Sequence, residues 1–280
     1  MQISFSTANL YLRPFEEVVD MIAAAGFANI ELDLFWERKE WAMAQHLKDV
    51  PVKRVVKLVE QAGLHVSSIH DGGGVLEEPG SIRGFINPSL DDYLDALGYV
   101  PEALVFHTPH IEGEHRNGWW PRLANHIVSA LEPYRRLCDC VTVENMPAFP
   151  GYTVPLITPE ELNDFARQYG LGITFDTVHY AQIDIDINEA ARKLAGQIRT
   201  IHLSDYLAGR THVFIGEGKL DFPAFFTQLD PGVLQAVTLE CSIPAAGQNQ
   251  QEMSRVNLVD RMRTAHLRLQ GWLENSIVLE

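Results

Sequence analysis

Val141-Thr142-Val143-Glu144-Asn145 reads as a short buried strand that ends on a carboxylate. The same design recurs in Ile173-Thr174-Phe175-Asp176, Arg199-Thr200-Ile201-His202 and Val237-Thr238-Leu239-Glu240. Side chains alternate faces along a strand. Each Thr therefore shares a face with its ionisable partner, while the apolar residues take the other. Four such strands delivering Glu, Asp, His and Glu to one inner surface would make an oxygen-rich, mixed-ligand cage for a divalent cation.

Working outward, strand-like segments alternate with helical ones along the whole chain. Strands are expected at 2–6, 29–34, 65–70, 103–107, 140–144, 172–176, 199–203 and 236–240. Helices are expected at 14–25, 52–62, 89–98, 120–137, 159–169, 187–196, 222–229 and 251–273. Pro14 suits a first helical turn, and Gly26 and Gly63 suit helix stops. Thr158-Pro159-Glu160-Glu161 is the clearest helix start. Strict strand–helix alternation implies parallel strands joined by right-handed crossovers. Eight units in 280 residues favour closure into a (β/α)8 TIM barrel, an α/β fold for which about 250 residues is typical. No linker or composition break divides the chain, so one domain over 1–280 is expected.

Composition excludes several functions. The 46% apolar content supports a sizeable core, and the net charge of −15 argues against a broad nucleic-acid-binding face. No apolar run approaches a membrane span. Three cysteines, Cys138, Cys140 and Cys241, cannot all pair with one another. With no apolar leader at Met1-Gln2-Ile3-Ser4, a reduced cytoplasmic setting is expected. Cys138 and Cys140 lack partners at zinc-finger spacing and read as core thiols.

Active sites of this fold lie at the carboxyl ends of the strands. Ionisable groups stand at seven of those ends: Glu31, His70, His107, Glu144, Asp176, His202 and Glu240. A lone strand-end His or Glu would be a satisfied or solvated rim residue, but seven at one rim point to a metal site. The Thr residues two positions before four of them, Thr142, Thr174, Thr200 and Thr238, either form a polar layer that orients the ligands or are simply good strand formers. His179 lies three residues past Asp176, where it can hold a substrate hydroxyl or a further metal. The longest irregular stretch, 205–220, is too long for an idle connection, and its Arg210 and His212 are expected to hold substrate oxygens or a terminal phosphate. Loops 35–50 and 108–120 carry Trp36 and Trp119, expected to wall the pocket with aromatic surface.

Taken in order, Val143-Glu144-Asn145, Phe175-Asp176-Thr177-Val178-His179, Ile201-His202-Leu203-Ser204-Asp205, Gly216-Glu217-Gly218 and Thr238-Leu239-Glu240 resemble the xylose isomerase-like TIM-barrel superfamily. That group includes sugar isomerases and epimerases, inosose dehydratases and the endonuclease IV family. Resemblance to its ketose 3-epimerases implies one divalent metal on Glu144, Asp176, His202 and Glu240; the donor set itself suits Mn, Mg or Co, and a His-rich multinuclear site would suit Zn. The resemblance also implies Glu144 and Glu240 as an acid/base pair acting through an enediolate, with His179 against the substrate, a small keto-sugar or related polyol ketone. Resemblance to endonuclease IV implies further metal ligands at His70, His107, His179 and His212. The chain departs from that pattern at Arg210, where a carboxylate would complete a third zinc site. The expectation is therefore a metal-dependent isomerase or epimerase with a carbohydrate substrate and no nucleic-acid or membrane partner. A dehydratase-like lyase on the same site or a phosphodiesterase at abasic DNA sites stands as the alternative, and homo-oligomerisation is left open.

Overall fold

The computed structural model describes residues 1–34, 47, 50–72, 75–76, 85–113, 119–243 and 251–277. Trp36 lies outside them, so the pocket-wall role expected of it does too.

Eight parallel strands close into a barrel. They are β1 (Gln2–Ser6), β2 (Asn29–Asp33), β3 (His65–Asp71), β4 (Ala103–His107), β5 (Val141–Glu144), β6 (Gly172–Asp176), β7 (Ile198–Leu203) and β8 (Ala236–Leu239). Each pairs with the next in sequence, and β8 closes on β1 through Gln2↔Ala236 to Phe5↔Leu239. Helices α1 (Phe15–Ala24), α2 (Val52–Gln61), α3 (Leu90–Leu97), α4 (Trp120–Arg135), α5 (Pro159–Tyr169), α6 (Ile187–Leu194), α7 (Phe222–Phe226) and α8 (Arg255–Ile277) run between or after them. This is the (β/α)8 barrel that the alternation predicts.

Local chemistry accounts for the element ends. The hydroxyl of Thr158 accepts from the Glu161 backbone N–H, and Glu161 Oε2 accepts from that of Thr158, both at 3.2 Å. This reciprocal cap satisfies two donors that a helix start leaves orphaned. Gly26 and Gly63 follow α1 and α2 with φ of 94° and 72°, a left-handed backbone that only glycine adopts cheaply. Between barrel and helices, the outward residues Val143, Phe175, Ile201 and Leu239 are fully buried, and the apolar core is built from such positions.

Inside the barrel the layer below the rim is hydroxylic rather than apolar. Thr174 Oγ1 lies 2.6 Å from Thr142 Oγ1 and 2.6 Å from Thr200 Oγ1. On the next two strands around the barrel, Ser4 Oγ lies 2.7 Å from Thr238 Oγ1. These threonines face inward as the alternation requires, but they bond one another, Ser4 or, for Thr142, also the Leu104 carbonyl oxygen at 3.3 Å. Barrel interiors of this class are usually filled by branched apolar side chains, so a polar layer directly beneath the rim marks where the chain invests in polar chemistry.

Register sets the rim. Asp33 is level with His70, Glu144 with His107, and Asp176 with His202. The expected irregular stretch 205–220 is partly ordered as an antiparallel hairpin, Asp205–Leu207 with Arg210–Val213. Its two-residue turn, Ala208-Gly209, has both φ values positive, at 49° and 80°. A turn with that double signature matches the right-handed twist of the flanking strands, which explains why a hairpin forms here. Asp205 then organises the return of the chain. Its carboxylate accepts backbone N–H groups from Tyr206, Gly216, Gly218 and Leu220 at 2.9–3.0 Å.

Candidate metal centre at the barrel mouth

Strand β6 ends on Asp176, which serves two purposes. Its Oδ1 accepts from the backbone N–H of Val178 at 2.7 Å and of His179 at 2.9 Å. That caps the helical turn Thr177–Ala181 and leaves Oδ2 buried without a hydrogen bond. The same turn carries His179 back over the rim, where its Nδ1 lies 2.8 Å from the Asn145 carbonyl and 3.1 Å from Glu144 Oε1. Asn145 extends the β5–β6 ladder one step beyond the strand. Its amide accepts from Asp176 N at 2.7 Å and donates to Asp176 O at 3.0 Å.

Around this nucleus the rim residues converge. Glu144, Asp176 and His202 bring ligand atoms within 4.8 Å of one another. Glu240 joins through His202, whose Nδ1 is 2.8 Å from Glu240 Oε2 and 3.3 Å from Glu144 Oε2. Further groupings share these side chains: His70 and His107 with Glu144, His179 and His212 with Asp176, and Glu31 and His70 with His202 and Glu240. His70 Nε2 and His107 Nε2 are 2.8 Å apart, and both approach Glu144 Oε2, at 3.2 and 3.3 Å. His212 reaches in from the hairpin with its backbone at φ 49°, its Nδ1 3.1 Å from the Glu240 carbonyl oxygen.

Two expected site residues fall elsewhere. Arg210 sits beside the hairpin turn and is exposed. Trp119 packs edge-on against Trp120 and lines a groove of about 640 Å³ between α4 and α5, apart from the ionisable cluster. Conversely, Asp33 has no role in the sequence reading, yet it is fully buried with Oδ2 3.5 Å from His70 Nδ1. The signal was present: in Asn29-Ile30-Glu31-Leu32-Asp33 the two acids are spaced by two, so both face the barrel interior.

Electrostatics follow from packing so many charges out of water. Burial opposes charge on Glu144, but the imidazoles of His202 and His107 outweigh it and hold its carboxyl well below the ordinary range. Burial likewise opposes ionisation of Glu240, and His202 overcomes it, bringing that pKa to about 2. For His202 and His70 the carboxylates win over desolvation, and both imidazoles stand well above their usual value. His107, where burial prevails over Glu144, is lowered. Burial of Asp33 raises it to about 7 despite His70. Burial raises Asp176 too, against the pull of His179 and His212.

The donor chemistry fits a cation. Buried polar atoms normally find partners. Yet Glu144 Oε1 and Oε2, Asp176 Oδ2, His202 Nδ1 and Glu240 Oε2 are buried and make no hydrogen bond. These are oxygens and one imidazole nitrogen, the donor types that Mn, Mg, Co and Zn accept. Glu144, Asp176 and His202 form one grouping that could hold an ion, and Glu240 shares another with His202.

The family model described as xylose isomerase-like TIM barrel matches residues 19–258. No curated protein matches the chain in sequence. Among solved structures, a D-tagatose 3-epimerase-like protein superposes with a TM-score of 0.69 at 20% identity, covering 99% of this chain and 98% of that one. An L-ribulose 3-epimerase gives 0.71 at 19% identity, covering 98% and 95%. An AP endonuclease, family 2, from Brucella melitensis gives 0.62 at 16%, covering 88% and 94%. At these identities the likeness is one of fold.

Proposed function

The chain belongs to the xylose isomerase-like TIM barrel family, and we propose that within it the protein is a divalent-metal-dependent isomerase or epimerase of a small keto-sugar. The observation that carries this reading is the pair Glu144 and Glu240. They stand on β5 and on the end of β8, separated around the barrel by β6 and β7, and both approach the same nitrogen of His202. Epimerisation needs a proton removed from one side of a carbon and returned on the other, and two carboxylates placed around one centre can divide that work. In the metal-free chain the surrounding imidazoles favour the ionised form of both; in the reaction one must be ionised to take the proton and the other protonated to return it.

Glu144, Asp176, His202 and Glu240 would hold the ion. When bound, a divalent cation supplies the Lewis acidity that makes a hydrogen alpha to a carbonyl removable. Of the remaining residues, His179 is fixed through Nδ1 to Asn145 O, which presents its Nε2 edge for hydrogen bonding to a substrate hydroxyl. His212 stands beside it, the rings perpendicular with centroids 5.7 Å apart. The sugar 3-epimerases of like fold support the substrate class.

The test is exchange. Protein loaded with Mn²⁺ is incubated with a panel of ketopentoses and ketohexoses in D₂O and followed by proton NMR. Deuterium entering the carbon next to the carbonyl, with the epimer accumulating, is the expected result. Loss of water from the substrate instead would identify a lyase on the same site. Absence of exchange across the panel by a cation-loaded protein would overturn the reading.

A second reading is favoured by one observation, the flanking groups His70–His107–Glu144 and Asp176–His179–His212, each able to hold a further ion. Three ions per chain together with cleavage of abasic-site DNA would establish a phosphodiesterase in place of the sugar enzyme.

A further inference from the structure

We infer that Glu31 is a positioning residue that fixes which nitrogen of His202 is offered to the cation, an inference that rests on the cation site proposed above. An imidazole binds a metal through one unprotonated nitrogen, and the partner of the other nitrogen decides which one that is. His202 is fully buried between two sets of carboxylates. Its Nε2 is hydrogen-bonded to Glu31 Oε2 at 3.2 Å and lies 3.1 Å from Glu31 Oε1. Its Nδ1 faces Glu144 and Glu240 at 3.3 and 2.8 Å and makes no hydrogen bond. The hydrogen-bond partner of Nε2 is a carboxylate oxygen and Nδ1 has none, so the geometry sets the ring proton on Nε2. The lone pair of the neutral ring is then on Nδ1, toward the cage.

Glu31 is itself held. It is fully buried, and its Oε2 accepts from the Ser68 hydroxyl at 2.8 Å. Ser68, Glu31 and His202 thus form a chain from β3 through β2 across the barrel to β7, which is not a neighbour of either strand. Contact between residues 171 apart in sequence has no counterpart in the strand ladders.

Glu31→Gln keeps size but adds a donor. Its amide NH₂ can face Nε2 and place the ring proton on Nδ1, where it would oppose an incoming ion. Outer partners of ligating histidines typically govern affinity by about 10–100-fold, and a loss of that size is expected. The experiment measures Zn²⁺ affinity by competition with a chelator for the full-length wild type, Glu31→Gln and Ser68→Ala. Nitrogen NMR of the His202 ring in the Zn²⁺-loaded wild type accompanies it. The expected results are a proton retained on Nε2 with Nδ1 ligated, the weakest binding in Glu31→Gln, and an intermediate loss in Ser68→Ala. Should Glu31→Gln fail to fold, Ser68→Ala, which retains the carboxylate, decides by the same criterion. Wild-type affinity in the variants, or ligation through Nε2, overturns the inference while leaving the metal site standing. A wild type that takes up no Zn²⁺ overturns both.

Discussion

His202 Nδ1 stands 2.8 Å from Glu240 Oε2, yet neither atom makes a hydrogen bond. Two buried polar atoms so close without an aligned bond are costly. A cation held as proposed by Glu144, Asp176, His202 and Glu240 would satisfy both atoms at once.

Glu240→Gln removes one of the two carboxylates proposed to flank the substrate carbon. Turnover should fall by at least about 10²-fold, in the range general acid–base groups contribute, and Zn²⁺ or Mn²⁺ affinity should fall with it. Steady-state kinetics and metal titration on the same preparation check both. A variant with wild-type kcat would remove Glu240 from the chemistry.

Thr174→Val breaks the hydroxyl run from Thr142 to Thr200 and takes the partner from Thr200 Oγ1, while Thr142 keeps the Leu104 carbonyl at 3.3 Å. A loss of stability of about 1–3 kcal/mol is expected from unsatisfied buried groups, with metal affinity unchanged, because these hydroxyls bond one another. Urea denaturation and metal titration separate the two effects. A large loss of affinity would instead give the threonine layer a part in orienting the ligands.

Asp205→Ala deprives four backbone N–H groups of their acceptor. Stability should fall by about 2–4 kcal/mol, read in thermal unfolding as a drop of several degrees. Gly218→Ala should act in the same direction, since an added Cβ would meet the Asp205 carboxylate and the Tyr206 carbonyl oxygen. An unchanged Tm in both variants would contradict this role of Asp205.

In metal-free protein, burial disfavours charge on His179, but the carboxylates of Asp176 and Glu144 outweigh it and raise its pKa to about 9. An unfolded histidine titrates near 6.5. A raised folded value contributes stability that is complete below about pH 6.5 and is lost as pH rises through about 9. Thermal unfolding of chelator-treated wild type should therefore show Tm falling across that window. His179→Asn should show a shallower fall, and parallel slopes would contradict the assignment.

Much of this architecture was legible in the sequence because it rests on period and spacing. Alternation in Val141–Glu144 and its three counterparts turns Thr and ionisable residue to one face, and eight strand–helix units close the barrel. What lay beyond reach depends on contacts between distant strands or on unusual backbone. The mutual bonding of the threonines needs the register of β5, β6 and β7. The return of His212 needs a left-handed φ at a residue that is not glycine. Helix Thr177–Ala181 is too short to show a period and forms because Asp176 caps it. Asp33 and Glu31 were readable as inward-facing acids, but their pairing with His70 and His202 was not. Trp119 shows the converse limit: aromatic residues near a barrel mouth can fill an outer groove instead.

The most direct test of the central claim is the metal content of the purified full-length chain, compared with that of Asp176→Asn. Asp176 is chosen because its Oδ1 already caps a helix and only Oδ2 is free for an ion. One divalent ion per chain in the wild type, lost or bound far more weakly in the variant, is the predicted result. A wild type that binds no ion, or a variant that keeps its ion with unchanged affinity, would contradict it.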